Sequence, residues 1–136
     1  VDCPPVLGVL MVNALAASQH IVIPVQTEFL AIKGLERMVK TMEIMGRSKK
    51  TRYSYTVVPT MFDKRTKASP AALQVLSEQY GESLWRDVIP VDTKFRDASL
   101  AHLPASHYAS GCRGVKAYER LLDFLLAGEF GHVKIG

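Results

Sequence analysis

Short runs of β-branched residues alternate with stretches of helical periodicity along this chain, and this alternation restricts its fold more than any other feature. The runs IVIPV at 21–25 and YSYTVV at 53–58 have the composition of buried strands. A third, shorter strand is expected to end at Val88 and Ile89, where Pro90 stops it. Strands that alternate with helices form parallel sheets covered by helices on both faces. We therefore predict an α/β fold with three layers and a mostly parallel sheet, forming one domain or part of one.

Two helices are expected around the first strand. Residues 7–17 are small and apolar on almost every side, which predicts a buried helix. Residues 31–45 place apolar side chains at spacings of three and four residues, which is typical of an amphipathic helix. Gly46 is expected to end that second helix.

Two further helices are expected in the second half of the chain. Ser69 is predicted to be an N-cap, with Pro70 at the first helical position and Gly81 at the end of the helix. The last helix is predicted at 115–126, and the residues 128–136 form a tail of mixed composition.

The composition excludes several functional classes. With 48% hydrophobic and 22% charged residues, the 136-residue chain has the composition of a globular protein and not of a disordered one. No apolar stretch reaches the roughly 20 residues that cross a bilayer. Two cysteines cannot form a disulfide scaffold or a multi-cysteine metal cage, and the four histidines lack the spacing of a shared metal site. We expect a cytoplasmic protein, and its net charge of +4 permits an anionic partner.

Candidate functional residues follow the ends of the predicted strands, because α/β sheets bind ligands at the carboxyl ends of their strands. These positions are Asp2 and the ranges 26–28, 60–67 and 90–96. Taken alone, Asp2 is better explained as a helix N-cap or a solvated turn than as a metal ligand.

Five segments of the chain together resemble the ParA/Soj family. Its members are deviant Walker A ATPases that position DNA and other cargo in bacteria, and MinD is a relative. The segments occur in the family's order and run from Val1 to about Leu126: DCPPVLGVLMVNALAAS, IVIPVQTEFLAIKGLERM, TMFDKRTKAS, IPVDTKFRDA and CRGVKAYERLLDFL. The resemblance implies a P-loop NTPase fold of the ParA/MinD-like type. Residues 1–127 would be the C-terminal part of that ATPase domain, and 128–136 its tail.

The family's phosphate-binding loop is absent from these 136 residues, which contain no glycine-rich GK[ST] sequence. The resemblance therefore implies that the chain is the C-terminal portion of a longer ATPase. ATP and Mg²⁺ would belong to the intact enzyme. Neither is expected to be bound by this chain alone, which should not hydrolyse ATP.

Carried over by position, the resemblance assigns Asp2 as the catalytic Walker B acid, which holds Mg²⁺ through water. Glu28, with Gln26, would lie near the nucleotide and the dimer interface. A helix-start charge is an equal alternative for Glu28, and a simple strand stop is the alternative for Pro90. The cofactor-binding residues that the resemblance implies are Asp2, Pro4, Pro5, Glu28, Thr60, Met61, Pro90 and Asp92.

The basic residues of two expected loops match the family's nonspecific DNA surface. Arg65 matches the first basic region of that surface, Lys94 matches the second, and Arg96 lies two positions further on. The alternative is a solvated face on which nearby acids offset the charge. Those acids are Asp63, Asp92 and Asp97.

The resemblance implies an intact protein that binds ATP–Mg²⁺, forms a homodimer and binds DNA nonspecifically to segregate a chromosome or plasmid. A ParB-like or cargo-adaptor protein would stimulate its ATPase, at the nucleoid or a cell pole and with no membrane partner. Two alternatives remain open. One is a relative that positions a protein cargo such as a chemoreceptor array, and the other is a non-enzymatic interaction domain that kept the fold.

Overall fold

The computed structural model describes residues 1–3, 8–49 and 53–128. In those residues it contains two strands and six helices. None of these helices is both long and apolar enough to cross a membrane. In chain order the elements are α1 (Val9–Ala17), β1 (Ile21–Gln26), α2 (Phe29–Lys49), β2 (Tyr55–Thr60), α3 (Ala68–Tyr80), α4 (Lys94–Leu100), α5 (Ala105–Tyr108) and α6 (Arg113–Ala127).

The sheet is built around β2, which pairs with β1 on one side. The two strands are parallel, with a register that runs from Ile21 opposite Tyr55 to Gln26 opposite Thr60. Helix α2 connects them, so the three elements form a βαβ unit. The predicted parallel α/β arrangement is therefore confirmed.

The segment 83–91 lies along the other side of β2, but the regular third strand predicted there is not formed. Two isolated parallel bridges, Val57 to Leu84 and Phe62 to Pro90, replace it in the described residues. Pro59 of β2 faces this segment between the two bridges and has no N–H to donate, which removes one hydrogen bond from the ladder. The segment therefore follows β2 without pairing continuously.

Successive residues of β2 pack into opposite faces of the sheet. Val57 belongs to a core formed with α2 and α3, whereas Val58 belongs to a second core formed with α6. Helices thus cover both faces of β2, which gives the three predicted layers. The buried partners of Val58 are Trp85, Ile89, Ala117 and Leu121.

The first strand and the first helix are less buried than their sequences predict. In β1, only alternate residues such as Ile23 and Val25 are buried, and Pro24 is exposed. Proline is tolerated in edge strands, where its missing N–H is not needed for pairing. In α1, Val9 is 76% exposed and Leu10 is 73% exposed. The described residues cover only one face of these two elements.

Several predicted boundaries are wrong by a few residues. Helix α2 continues through the buried Gly46 to Lys49, because a glycine lowers the stability of a helix but does not by itself end it. Strand β2 begins at Tyr55, two residues later than predicted.

The start of α3 also differs from its prediction. The Ser69 N–H donates to the Thr66 hydroxyl at 3.2 Å, so Thr66 satisfies this first-turn donor in place of Ser69. The helix ends at Tyr80, before Gly81, as predicted.

Helix α4 contains Lys94 and Arg96, which the sequence placed on a loop. It packs against α6 through Phe95, whose ring meets that of Tyr118 edge-on with centroids 5.8 Å apart. Gly114, at the start of α6, lies directly beside Phe95.

We expect Gly114→Ala to lower the free energy of unfolding by about 1–3 kcal/mol, because overpacking strains a close contact. An added Cβ would lie 2.7 Å from Phe95 Cζ and 3.1 Å from Asp92 Cβ. Urea denaturation measures the change. Gly34→Ala is the matched control, because Gly34 lies in α2 with nothing within 4 Å of its added Cβ. The control should gain about 0.5–1 kcal/mol of helix stability, and equal losses in both variants would contradict the packing argument.

Candidate functional site

Three chain segments meet at the carboxyl edge of the sheet. The Thr27 N–H, just after β1, donates to the Thr60 carbonyl at 3.0 Å. The Phe62 N–H, just after β2, donates to the Ile89 carbonyl at 3.0 Å, and the Val91 N–H donates back to the Phe62 carbonyl at 3.0 Å. The structure thereby brings five of the predicted site residues to one edge. They are Glu28, Thr60, Met61, Pro90 and Asp92.

A chain of hydrogen bonds through buried hydroxyl groups ties this edge to the start of α3. The Asp63 N–H donates to the Ser69 hydroxyl at 3.1 Å, and the Ser69 and Thr27 hydroxyls are hydrogen-bonded to each other. The Thr27 hydroxyl lies 3.3 Å from the Thr60 carbonyl and 3.4 Å from the Met61 carbonyl. Because Thr27 donates to these carbonyls, Ser69 is the donor to Thr27. Both hydroxyl groups of this hydrogen-bond chain, those of Thr27 and Ser69, thus have partners, as buried polar groups require.

The candidate range 26–28 includes Thr27, but the sequence analysis assigned this residue no role. A hydroxyl residue directly after a strand is common and does not by itself indicate a buried hydrogen bond. Its partner Ser69 is 42 residues away in sequence, and no local pattern connects the two.

Met61 adopts the left-handed backbone conformation, with a φ of 53°. This region is unfavourable for a residue with a long side chain and needs support from its surroundings. The Thr27 hydroxyl, 3.4 Å from the Met61 carbonyl, gives such support. The turn leaves Met61 55% exposed at the carboxyl edge, where a ligand can reach it.

Arg65 is paired with Asp63 on the loop that follows β2. Its Nη2 lies 2.7 Å from Asp63 Oδ2 and its Nε lies 2.9 Å from Oδ1. The Arg65 N–H also donates to Oδ1, at 3.0 Å. These hydrogen bonds, with the Arg65 charge, lower the pKa of Asp63 from 3.8 to about 2.

The other two candidate DNA-binding residues lie in α4. Lys94 Nζ is 3.0 Å from Asp97 Oδ2, and this contact raises the pKa of Lys94. Arg96 is exposed and forms no ion pair within the described part of the chain. Two of the three predicted cations therefore have acidic partners on their own segments.

Both carboxylate oxygens of Asp92 accept backbone hydrogen bonds. Oδ2 accepts the Gly114 N–H at 2.9 Å, and Oδ1 accepts the Lys94 N–H at 3.0 Å. These two hydrogen bonds lower the pKa of Asp92, and the one from Gly114 has the larger effect. The carboxylate thus satisfies free N–H groups at the starts of α4 and α6. Its assignment to cofactor binding stays a prediction.

Of the other predicted site residues that the structure describes, Asp2 lies outside this cluster. Asp2 is exposed and lines a separate cavity of about 590 Å³ beside α1 and β1. Glu28 is exposed, and its carbonyl accepts the Ile32 N–H of α2 at 3.2 Å, so its position also suits the helix-start alternative. Pro4 and Pro5 lie outside the described residues.

Comparison with known proteins finds relatives along nearly the whole chain. The family described as "AAA domain" matches residues 1–55. Chromosome-partitioning ATPase Soj from Treponema pallidum is 33% identical over 128 residues, covering 93% of this chain and 51% of the relative. Chromosome partitioning protein ParA from Caulobacter vibrioides is 32% identical over 130 residues, covering 95% of this chain and 49% of the relative. The chain spans about half the length of the curated relatives it matches.

A solved structure shares the fold. Cobyrinic acid a,c-diamide synthase from Mycobacterium smegmatis, crystallised with an ATP analog and magnesium, superimposes with a TM-score of 0.69 at 28% identity. The match covers 92% of this chain and 45% of the synthase chain. The α/β fold described above is thus of the P-loop NTPase type.

We expect Thr27→Val and Ser69→Ala each to lower the free energy of unfolding by about 1–3 kcal/mol, because each leaves a buried hydrogen-bonding group without its partner. The double variant should lose about 1 kcal/mol less unfolding free energy than the sum of the two single losses, because the two hydroxyls are hydrogen-bonded to each other. Urea denaturation of the four proteins measures this coupling.

Thr41→Val is the control for the hydroxyl-to-methyl change. The Thr41 hydroxyl is exposed and bonds only within α2, to the Arg37 carbonyl at 2.9 Å. Its removal should change stability by less than about 0.5 kcal/mol. Strictly additive costs at Thr27 and Ser69 would refute the coupling.

The contribution of the Asp63–Arg65 ion pair to stability should depend on pH. The folded pKa of Asp63, about 2, lies below its ordinary value of 3.8, so the pair stabilises the fold above pH 3.8 and loses this effect as the pH falls towards 2. Arg65→Ala should raise the pKa of Asp63 towards 3.8, as measured by NMR titration of its carboxyl group. Lys94→Ala should leave it unchanged, and an Asp63 pKa insensitive to Arg65→Ala would disprove the assigned cause.

Proposed function

This chain belongs to the Soj/ParA family of partitioning ATPases, and from that premise we propose that it supplies the DNA-binding part of a protein that segregates a chromosome or plasmid. The intact protein binds ATP–Mg²⁺, dimerises and binds DNA without sequence preference. Residues 1–127 form the C-terminal part of its ATPase domain, and 128–136 form a tail.

One observation carries the DNA-binding proposal. The loop with Arg65 and the segment leading to Lys94 and Arg96 are joined by the two backbone hydrogen bonds of Phe62. Cations from separate parts of the sequence therefore lie along one edge of the sheet. A row of cations on a fixed frame suits the phosphate backbone of DNA, which is recognised by charge and not by base sequence.

The ion pairs of Arg65 and Lys94 are compatible with this role. Both pairs are at the surface, with Arg65 80% exposed and Lys94 49% exposed at their side chains. Surface ion pairs are weak, and salt and competing anions displace them. A DNA phosphate can therefore replace Asp63 or Asp97 as the partner of the cation.

The described residues suit only part of an ATP–Mg²⁺ site. The exposed Asp2 carboxylate is an oxygen ligand of the kind that magnesium prefers, here through water. Glu28, Thr60, Met61 and Pro90 would lie on the nucleotide side. The 136 residues contain no glycine-rich loop to hold a triphosphate, so this chain alone does not suffice for ATP binding. The relatives' printed function and the synthase's bound ATP analog and magnesium support nucleotide use by the intact protein.

The proposed assembly follows the family. The intact protein pairs with a second copy of itself, and a ParB-like or cargo-adaptor partner stimulates hydrolysis and releases the DNA. It acts in the cytoplasm, at the nucleoid or a cell pole.

We expect Arg65→Ala combined with Lys94→Ala to weaken binding of a DNA duplex and to reduce its dependence on salt. Each phosphate contact contributes about 0.9 to the slope of log K against log salt, so the double variant should lose a slope of about 2. Fluorescence anisotropy with a labelled duplex, between about 50 and 200 mM salt, measures the slope.

Arg37→Ala combined with Lys40→Ala is the matched control. These two exposed cations lie on α2, so their removal changes the net charge equally without touching the proposed surface. The control should keep the wild-type slope. Equal effects of the two double variants would mean that only net charge matters, and unchanged binding after the loss of Arg65 and Lys94 would remove them from the DNA surface.

A further inference from the structure

A cleft of about 470 Å³ lies between the loop after β2 and the segment 90–93, with the first residue of α6 on its rim. Its walls are fixed by backbone contacts. The Phe62 N–H donates to the Ile89 carbonyl, and the Phe62 carbonyl accepts the Val91 N–H. The Asp92 carboxylate accepts the Gly114 N–H of α6 at 2.9 Å. The cleft is therefore a preformed feature of the fold.

Five charged residues line this cleft, and three of them are compensated within it. Asp63 and Arg65 neutralise each other through their ion pair. The Asp92 carboxylate is satisfied by two backbone N–H groups. The two that remain are Lys64 and Arg113, which are exposed and form no ion pair with any residue that the structure describes.

The two remaining cations come from different walls of the cleft. Lys64 belongs to the loop after β2, and Arg113 begins α6. The charge of Arg113 also contributes to the lowered pKa values of Asp63 and Asp92, which agrees with a position near both walls. The cleft is therefore a concave site with a cation on either side and a positive balance.

We propose that Lys64 and Arg113 together hold one phosphate of the DNA backbone in this cleft. This inference rests on the proposed DNA-binding function and adds two contacts to it. An arginine presents a planar set of donors that fits two phosphate oxygens, and a lysine adds a point charge from the other side. Arg65 lines the same cleft, and Lys94 follows directly after its other wall, so the phosphate would lie between the two basic regions.

We expect Arg113→Ala and Lys64→Ala each to reduce the slope of log K against log salt by about 1 for duplex binding, and the double variant by about 2. Fluorescence anisotropy of the intact protein, in the presence of ATP–Mg²⁺ and a labelled duplex, measures the slope. Arg113→Lys keeps the charge and should retain most of the slope. Urea denaturation of each variant checks that the fold is kept, as expected for exposed side chains.

Lys116→Ala is the matched control, because Lys116 is an exposed cation on the same helix but outside the lining of the cleft. It should keep the wild-type slope. If Arg113→Ala changes the slope no more than Lys116→Ala does, the cleft proposal is wrong while the DNA-binding function stands. If the wild-type intact protein does not retain duplex at low salt, the proposed function itself fails, and the cleft proposal fails with it.

A second measurement separates DNA from a free anion as the occupant. The Arg113 Nε–H resonance should shift in ¹⁵N NMR spectra when duplex is added. A shift caused by inorganic phosphate with none caused by duplex would overturn the assignment of the cleft to DNA.

Discussion

The peptide backbone of Phe62 joins the two segments on which the candidate site is built. Its N–H donates to Ile89 and its carbonyl accepts from Val91, so the loop after β2 and the segment before α4 are bound to each other directly. With the bond from the Ile89 N–H to the Pro59 carbonyl at 2.8 Å, these bonds fix the spacing between the cations on the loop and those on α4. Without them, the cleft would lose one of its edges. Backbone hydrogen bonds suit this purpose because they hold position and leave the side chains free for other contacts.

Much of the fold could be predicted because the residue patterns that indicate helices and strands are local in the sequence. The spacing of Ile32, Leu35, Val39 and Met42 indicates α2, and all four are buried. The β-branched composition of YSYTVV indicates β2 to within two residues. Burial of β1 could not be predicted as well, because composition does not show whether one or both faces of a strand are covered.

The candidate site was harder to predict because its contacts join residues far apart in sequence. Asp92 caps α6 through Gly114, which is 22 residues away, and Thr27 bonds Ser69 across 42 residues. Likewise, a basic residue such as Arg113 gives no local sign that it shares a cleft with Lys64. The ends of the predicted strands identified the edge of the sheet where these contacts lie, and the sequence placed Asp63 and Asp97 near the basic residues, but it did not show which cation each acid pairs with.

The hydroxyl chain from Asp63 through Ser69 and Thr27 has a mechanical consequence. It fastens the residues that follow β1 to the loop that carries Lys64 and Arg65. A displacement of residues 26–28 must therefore either break a buried hydrogen bond or move the basic loop with it. The residues after β1, which we propose for the nucleotide side, and the basic loop, which we propose for DNA, are in this way coupled through buried hydrogen bonds, so a shift of one can reach the other without any change in secondary structure.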